Sequence, residues 1–353
     1  MATKLKLGHS LCTSLLTRVA RKQLTVRNIN TTASVFAIEA RWTAPYLRDL
    51  AKRKKIMEEK GLFPQDKRSE YIEWNYDAEL YAFGKRLQEE FEDEVLRAAL
   101  TDASYIRQEI QRQQDLGVSS PALMMSSNEE LSDGGAKVIT DYSSKFLRAA
   151  LPLFPEEGIS AVTEYLSSEV VLAEVGFGIG LRDLILCQEH PPAPSTAARA
   201  LQAVVGALHA SSGLARTQAF VRDFVLAHLS GKDINSIWKV EDPMKVLSGI
   251  LARSGCGEPE PRIIFQSGKN TIQAVYQVGI YTDKNFIGSG YGETVGEAVE
   301  QATHDALRRL FHTTDSTTPL PFGPAAADLT LKESSNLTLQ DWSLEKAKNV
   351  VSC

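Results

Sequence analysis

Long apolar runs and closely spaced cysteines are both absent from this 353-residue chain. A membrane-spanning helix needs about 20 consecutive apolar residues, and no stretch approaches that length, so the sequence excludes an integral membrane protein of this kind. The four cysteines, Cys12, Cys187, Cys256 and Cys353, form no CxxC pair. Their spacing excludes a disulfide scaffold and gives no zinc site. The sequence predicts no metal and no cofactor.

Charge is distributed unevenly along the chain. Residues 1–60 contain 13 basic and 4 acidic residues, whereas residues 71–231 contain 12 basic and 23 acidic residues. The length leaves room for two domains plus tails. A basic head on an acidic body predicts that anion binding or targeting is concentrated in the head.

Residues 1–35 contain no acid, and Leu11, Leu15, Leu16 and Val19 recur at helical spacing. The basic residues are Lys4, Lys6, Arg18, Arg21, Lys22 and Arg27. A cationic amphipathic helix without acids is typical of a mitochondrial presequence, with a disordered basic tail as the alternative. Processing is expected between about Arg27 and Glu39.

Residues 36–70 form a second basic segment, which we call the basic arm. Its run RDLAKRKKIMEEK contains good helix formers and little core-forming periodicity. The cations proposed to neutralise RNA phosphates are Arg41, Arg48, Lys52, Arg53, Lys54 and Lys55. A solvated helix without a ligand is the alternative. The predicted mitochondrial presequence favours RNA binding over this alternative.

Residues 71–231 are predicted to form an all-helical domain. Apolar residues between Trp74 and Tyr105 step by three and four, with a break expected around residues 91–93. The segments 128–151, 159–175 and 197–229 show the same periodicity, and prolines lie between them. No strand alternation occurs before about residue 262.

Three motifs in this region resemble the ribonuclease III family. Residues 99–105 (ALTDASY) resemble its ALTHxSY segment, and residues 166–185 resemble its SNExLAxxAxxLGLxDxI stretch. Residues 203–213 resemble its EALIGALYLDSG segment. Three motifs in the family's order make the resemblance specific, and it implies an all-helical ribonuclease III-like fold.

The resemblance fails at the family's metal-binding positions. The family signature NERLEFLGDAVL aligns with residues 128–139, which places its two metal-binding acids at Ser132 and Ala136; counting back from Gly206 places the second acid pair at Arg199 and Gln202. Mg²⁺ prefers oxygen ligands such as carboxylates, and none of these positions carries one. Glu129 and Asp133 also lie four apart, but a shift of one helical position rotates a side chain by about 100°. The sequence therefore predicts no nuclease activity.

Residues 236–312 are predicted to form a small α-β-β-β-α domain, so that the fold class is mainly α with this second unit. A helix opens at Asp242-Pro243, strands follow from about residue 261, and a second helix covers 294–312. The order resembles the double-stranded-RNA-binding domain, and residues 288–294 lie where that family has GxGxGxS. Residues 313–353 are interpreted as a C-terminal tail, a linker with one short helix near 338–350.

The family's phosphate-gripping lysine pair is missing from this domain, because Val295 and Gly296 stand at those positions. The remaining candidates for RNA contact are Lys269, Lys284, Arg308 and Arg309. Residues 239–312 contain 8 basic and 9 acidic residues. A surface that packs against protein or docks on rRNA is therefore the competing interpretation.

A further likeness narrows the expected function. A resemblance to a family of proteins of the mitochondrial large ribosomal subunit is found in residues 74–89, Asn128 to Ser132, Gly231-Lys232, Trp238-Lys239 and Asp242-Pro243-Met244. The resemblance implies a matrix-located structural component with rRNA and ribosomal proteins as partners, and a role in subunit assembly or nascent-chain stability. The alternatives are an active mitochondrial double-strand-specific endoribonuclease and a dimerisation partner of a ribonuclease III-like protein.

Overall fold

The computed structural model describes residues 44–60, 68–71, 73–118, 125–269, 271–314, 320–322 and 329–352. The predicted presequence, residues 1–35, lies outside these ranges. The chain divides into two compact units, Met1–Asp66 and Lys67–Cys353. Among the described helices, none combines the length and apolar character needed to cross a bilayer.

The described part of the first unit is one helix, α1 (Ala44–Glu59). Its residues with assigned exposure are all solvent-exposed, in keeping with the weak apolar periodicity of the run. This helix contains five of the six cations predicted for the basic arm; the sixth, Arg41, lies outside the described residues.

The second unit begins with helices that pack around one apolar core, which confirms the prediction of a helical domain. The helices are α2 (Tyr76–Leu87), α3 (Asp93–Ala99), α4 (Ala103–Asp115), α5 (Glu129–Ala150), α6 (Glu156–Leu166), α7 (Glu169–Gly178), α8 (Pro194–Ser212), α9 (Leu214–Phe220) and α10 (Ile234–Ile237). The expected break near residue 91 is present, because Gln88 adopts a left-handed conformation after α2 and the next helix begins at Asp93.

Helices α5 and α8 cross at the centre of this domain. Helix α8 is buried along most of its length, with Leu201, Val204 and Val205 all inaccessible to solvent. The two backbones approach closely at Gly135 and Gly206. A Cβ added at Gly135 would collide with the carbonyl oxygen of Gln202, and one at Gly206 with the carbonyl oxygen of Leu131. This crossing fixes the relative position of the family's metal-binding positions.

The rest of the second unit contains α11 (Pro243–Arg253), β1 (Glu260–Ser267), β2 (Val275–Thr282), β3 (Asn285–Gly292) and α12 (Val295–Leu310), which confirms the α-β-β-β-α order. The strands form an antiparallel sheet in the order β1-β2-β3. Gly288, Gly290 and Gly292 face α12, where a Cβ would collide with the helix backbone. The GxGxG pattern therefore serves close packing of strand on helix.

Residues 336–347, here called the C-terminal strap, pack into the interior, with Trp342 only 1% exposed. The Trp342 indole donates to Leu153 O at 3.0 Å, and its ring meets Phe311 at 5.4 Å between centroids. The Asn336 amide donates to Leu151 O and Phe154 O at 2.9 and 3.0 Å. The strap thus contacts both the helical domain and the C-terminal end of the small domain.

The short helix predicted near residues 338–350 is present, but residues 336–343 pack into the interior and are not a linker. The helix of this segment, α13 (Leu344–Ser352), begins after the buried tryptophan. Most of the anchoring residues precede it in a stretch without periodicity, where Asn336 and Trp342 are joined by Leu339, whose backbone bonds to Glu157 and Arg253. The domain boundaries predicted from the sequence otherwise remain predictions.

Candidate functional site

The α5–α8 crossing brings together two of the four positions at which the ribonuclease III family binds metal. The Ser132 hydroxyl donates a hydrogen bond to Gln202 Oε1 at 3.0 Å, and Ser132 is buried. Ala136, one turn further along α5, offers no donor, and Arg199, one turn before Gln202, is exposed. The two helices therefore bring these positions together, but the polar side chains of Ser132 and Gln202 bond to each other.

These residues do not fit a magnesium site. A hard divalent cation takes oxygen ligands, mostly carboxylates, whereas here one position holds a methyl group and another a guanidinium cation. The two remaining oxygen atoms are joined in a hydrogen bond. Within the described part of the chain, no group of three or more His, Cys, Asp or Glu residues is placed to hold a metal ion.

Glu129 and Asp133 are exposed in the first turns of α5. Their neighbours Ser132 and Gly135 on the same helix are buried against α8. The exposure agrees with the rotation of about 100° expected for a shift of one residue along a helix. The two carboxylates are therefore oriented towards solvent, away from Gln202.

Beside this crossing lies a polar group that sequence reasoning missed. Asp102 is 4% exposed and caps α4 through its Oδ2, which accepts from Ser104 N at 3.0 Å; Arg199 approaches its Oδ1 at 3.9 Å. Neither Asp102 Oδ1 nor the buried Asn128 Nδ2 has a hydrogen-bond partner among the described residues. An acid directly before Ala-Ser in a helix-starting position was the available signal for the cap.

The four candidate cations of the small domain do not form one patch. Lys269 is exposed in the β1–β2 loop, and Lys284 is exposed in the β2–β3 turn at the opposite end of the sheet. Arg308 and Arg309 lie near the C-terminal end of α12. Seven residue steps at about 3.3 Å each put the two lysines roughly 20 Å apart along the sheet.

Both arginines on α12 have partners within the chain. Arg309 bonds to Asp305 at 2.9 Å and lies over the Phe286 ring at 5.5 Å. Arg308 lies 3.9 Å from Asp233 and lines a cavity of about 170 Å³ together with Trp238, Lys239 and His304. Their charge is therefore partly neutralised before any ligand arrives.

The N-terminus of α12, where the related domains carry their lysine pair, is closed by the chain itself. The Thr294 hydroxyl accepts from Glu297 N at 3.2 Å, and the Glu297 carboxylate accepts from Thr294 N at 3.3 Å. This capping box satisfies backbone donors and places a negative charge in the first turn. The arrangement disfavours a phosphate at this helix end.

Helix α1 has two distinct exposed faces. Arg48, Lys52 and Lys55 follow the spacing i, i+4, i+7 and share one face, whereas Tyr46 and Leu50 lie on another. Arg53 lies on the apolar side, while Lys54 lies between the faces, so the cations are only partly aligned. Tyr46 is 67% exposed, so the apolar face has no partner residue among those described in the same unit.

Comparison with known proteins adds two family matches. The family described as "Large ribosomal subunit protein mL44, endonuclease domain" matches residues 75–208, and the "MRPL44 dsRNA-binding domain" matches residues 238–343. The second match extends to Trp342 and therefore includes much of the C-terminal strap.

Individual proteins similar to this chain were also found. The large ribosomal subunit protein mL44 of Caenorhabditis elegans is 31% identical over 301 residues, which are 84% of this chain and 74% of the relative. Ribonuclease 3 of Symbiobacterium thermophilum is 28% identical over 233 residues, which are 63% of this chain and 91% of that protein. The nuclease domain of ribonuclease III from Campylobacter jejuni, a solved structure, is 21% identical with a TM-score of 0.33, covering 45% of this chain and 97% of that one.

Proposed function

The chain belongs to the mL44 family of large ribosomal subunit proteins, and from this premise we propose that it is a structural component of the mitochondrial large ribosomal subunit that does not cleave RNA. The proposal is supported by one observation above the others. The positions that would hold catalytic metal are Ser132, Ala136, Arg199 and Gln202, and two of these side chains bond to each other. A ribonuclease III-like fold without ligands for magnesium can form structural contacts, but it cannot bind the metal ions that the cleavage reaction requires.

Subunit membership is tested by gradient sedimentation of mitochondrial lysate at moderate salt. The protein is expected to co-sediment with the large subunit and to remain there when small subunits are removed. A protein found wholly in the soluble fractions at the top of the gradient would overturn the structural role.

Absence of cleavage is tested separately with purified chain and duplex RNA in Mg²⁺, at large protein excess. No cleavage is expected, and Glu129→Gln and Asp133→Asn are expected to behave as the wild type does. Cleavage that depends on Mg²⁺ and disappears in Glu129→Gln would favour the alternative, an active double-strand-specific endoribonuclease.

We infer that contact with rRNA is concentrated in the basic arm. Each phosphate contact contributes about 0.7–0.9 to the slope of log K against log salt, so a lost cation lowers that slope by nearly one unit. Lys52→Gln is expected to reduce both RNA affinity and salt dependence. Lys137→Gln, an equal loss of charge on the exposed side of α5, is the matched control and is expected to change neither.

Ribosomal proteins are the other expected partners. Pairing of the helical domain with itself or with a ribonuclease III-like relative remains a separate proposal. The elution mass of the purified chain, measured by light scattering, distinguishes a monomer from a dimer.

A further inference from the structure

Helix α12 packs against β2 and β3 on one face of the sheet, and the other face is open. The register assigns Phe265, Gln277 and Tyr291 to a single row across the three strands on the open face. The buried residues Val278 and Ile280 project to the opposite side. Phe265 is 56% exposed and Tyr291 is 62% exposed, so two exposed rings lie on this face, one on each outer strand.

The geometry of this row suits flat ligands. Adjacent strands lie about 4.8 Å apart, so the two rings, one on each outer strand, are separated by roughly 10 Å. The Gln277 side chain lies between them and donates to the Tyr291 hydroxyl at 2.9 Å, which orients that ring. The spacing leaves room for two bases that each stack on a separate ring.

Cations and acids are both present around this face, where exposed Asp283 adjoins Lys284 and exposed Glu293 follows Tyr291 by two residues. Lys269 and Lys284 are exposed at the two ends of the sheet. Among the paired positions of the open face that the structure describes, the one acid, Glu260, is neutralised by Arg262 at 2.5 Å. Arg262 also lies over the Tyr281 ring at 5.5 Å. Polar groups for base edges are present at Gln277 and Ser289.

We propose that this open face, the row Phe265–Gln277–Tyr291 between Lys269 and Lys284, binds unpaired bases of single-stranded RNA. The proposal rests on the function proposed above, because it identifies the form of RNA that the small domain contacts in the subunit. Exposed aromatic rings on a sheet stack bases of any sequence, while lysines at the edges hold the backbone. Duplex RNA hides its base faces and gains nothing from such rings.

The test uses the full chain and two probes of equal length, a single-stranded oligouridine and an RNA duplex. Stacking of one base contributes about 1–3 kcal/mol, so Phe265→Ala and Tyr291→Ala are each expected to weaken oligouridine binding about tenfold. Duplex binding, which depends on the basic arm, is expected to change less than twofold. Phe265→Tyr retains the ring and is expected to bind as the wild type does.

Ile263→Ala is the matched control. Ile263 is 52% exposed on the same strand, but it pairs with Val278 and projects to the other side of the sheet. Loss of oligouridine binding in this variant, or equal losses for both probes in the ring variants, would show a general effect on the fold and would overturn the proposal. A thermal melt of each variant, expected to match the wild type because the rings are exposed, separates these effects from unfolding.

Photocrosslinking of 4-thiouridine RNA provides a second readout. Crosslinked peptides are expected within residues 260–292. Crosslinks confined to residues 44–60, or unchanged affinity in both ring variants, would overturn the proposal and point to a protein partner for the open face. That result would leave sedimentation with the large subunit intact, so failure of this inference is distinguishable from failure of the proposed function.

Discussion

The α5–α8 crossing and the open face of the sheet differ in how completely their side chains are buried or hydrogen-bonded within the chain. At the crossing, Gly135 and Gly206 each lie against the backbone of the opposite helix, and the Ser132 hydroxyl bonds to Gln202. On the sheet, β1 is exposed along its whole length and large apolar side chains contact solvent. The crossing lacks carboxylates at the family's metal-binding positions, whereas the open face has exposed aromatic rings with a lysine near each end. The difference indicates where binding capacity remains: on the open face rather than in the closed crossing.

The largest expected effect concerns neither region alone but the contact between the helical domain and the small domain that contain them. Trp342→Ala removes a buried indole that contacts both domains and is expected to lower the free energy of unfolding by about 4 kcal/mol. Urea unfolding followed by circular dichroism measures the loss. Trp342→Phe, which keeps an aromatic ring but loses the bond to Leu153 O, serves as the intermediate control. If Trp342→Ala unfolds at the wild-type urea concentration, the strap does not unite the domains.

At the crossing, substitution of two adjacent glycines by alanine is expected to have opposite effects on stability. Gly135→Ala drives a methyl group into the Gln202 carbonyl and is expected to destabilise the fold by about 3 kcal/mol. Gly134→Ala meets no atom within 4 Å and is expected to stabilise the helix by about 0.5–1 kcal/mol. Equal melting temperatures for the two variants would contradict the close crossing.

A smaller effect on stability tests whether Ser132 and Gln202 are hydrogen-bonded to each other at the crossing. Ser132→Ala removes the donor to Gln202 and is expected to destabilise the protein by about 1 kcal/mol, as for a typical hydrogen bond. Ser143→Ala is the comparison, because the Ser143 hydroxyl is buried without a partner among the described residues and its removal leaves no bond broken. A larger loss in Ser143→Ala than in Ser132→Ala would argue against the bond at the crossing.

The smallest effect concerns pH. Burial, together with Arg308 and Lys239, lowers the pKa of His304, while Glu300 acts in the opposite direction. The folded state therefore favours the neutral ring, so its stabilising contribution is complete above the unfolded pKa of about 6.5 and decreases as pH falls towards the folded value. Between pH 7.5 and 5, the melting temperature is expected to decrease less steeply for His304→Gln than for the wild type. Identical slopes would contradict the shift.

Much of the architecture follows from local patterns. Apolar spacing predicted the helices, and the Asp242-Pro243 pair marked the start of α11. The glycines at 135 and 206 were visible as motif residues, although only the fold shows that each meets the backbone of the other helix. Periodicity could not reveal that Ser132 and Gln202, 70 residues apart, bond to each other.

Two features escaped sequence reasoning for a physical reason. The C-terminal strap is anchored by irregularly spaced residues, among them Asn336, Leu339 and Trp342, and irregular spacing leaves no periodic signal. Phe265 and Tyr291 looked like ordinary strand residues, since alternation indicates that two faces exist but not which one a helix covers. The sheet register and the position of α12 were needed to identify the open face.

The strap also determines the order in which the protein can fold. Trp342 completes the surroundings of Leu153 from a position 189 residues further along the chain. Contacts between such distant residues close slowly, because the intervening chain must first be brought together. Until residues 336–347 have been synthesised, the helical domain lacks their contacts, so the apolar surface around Leu153 stays exposed.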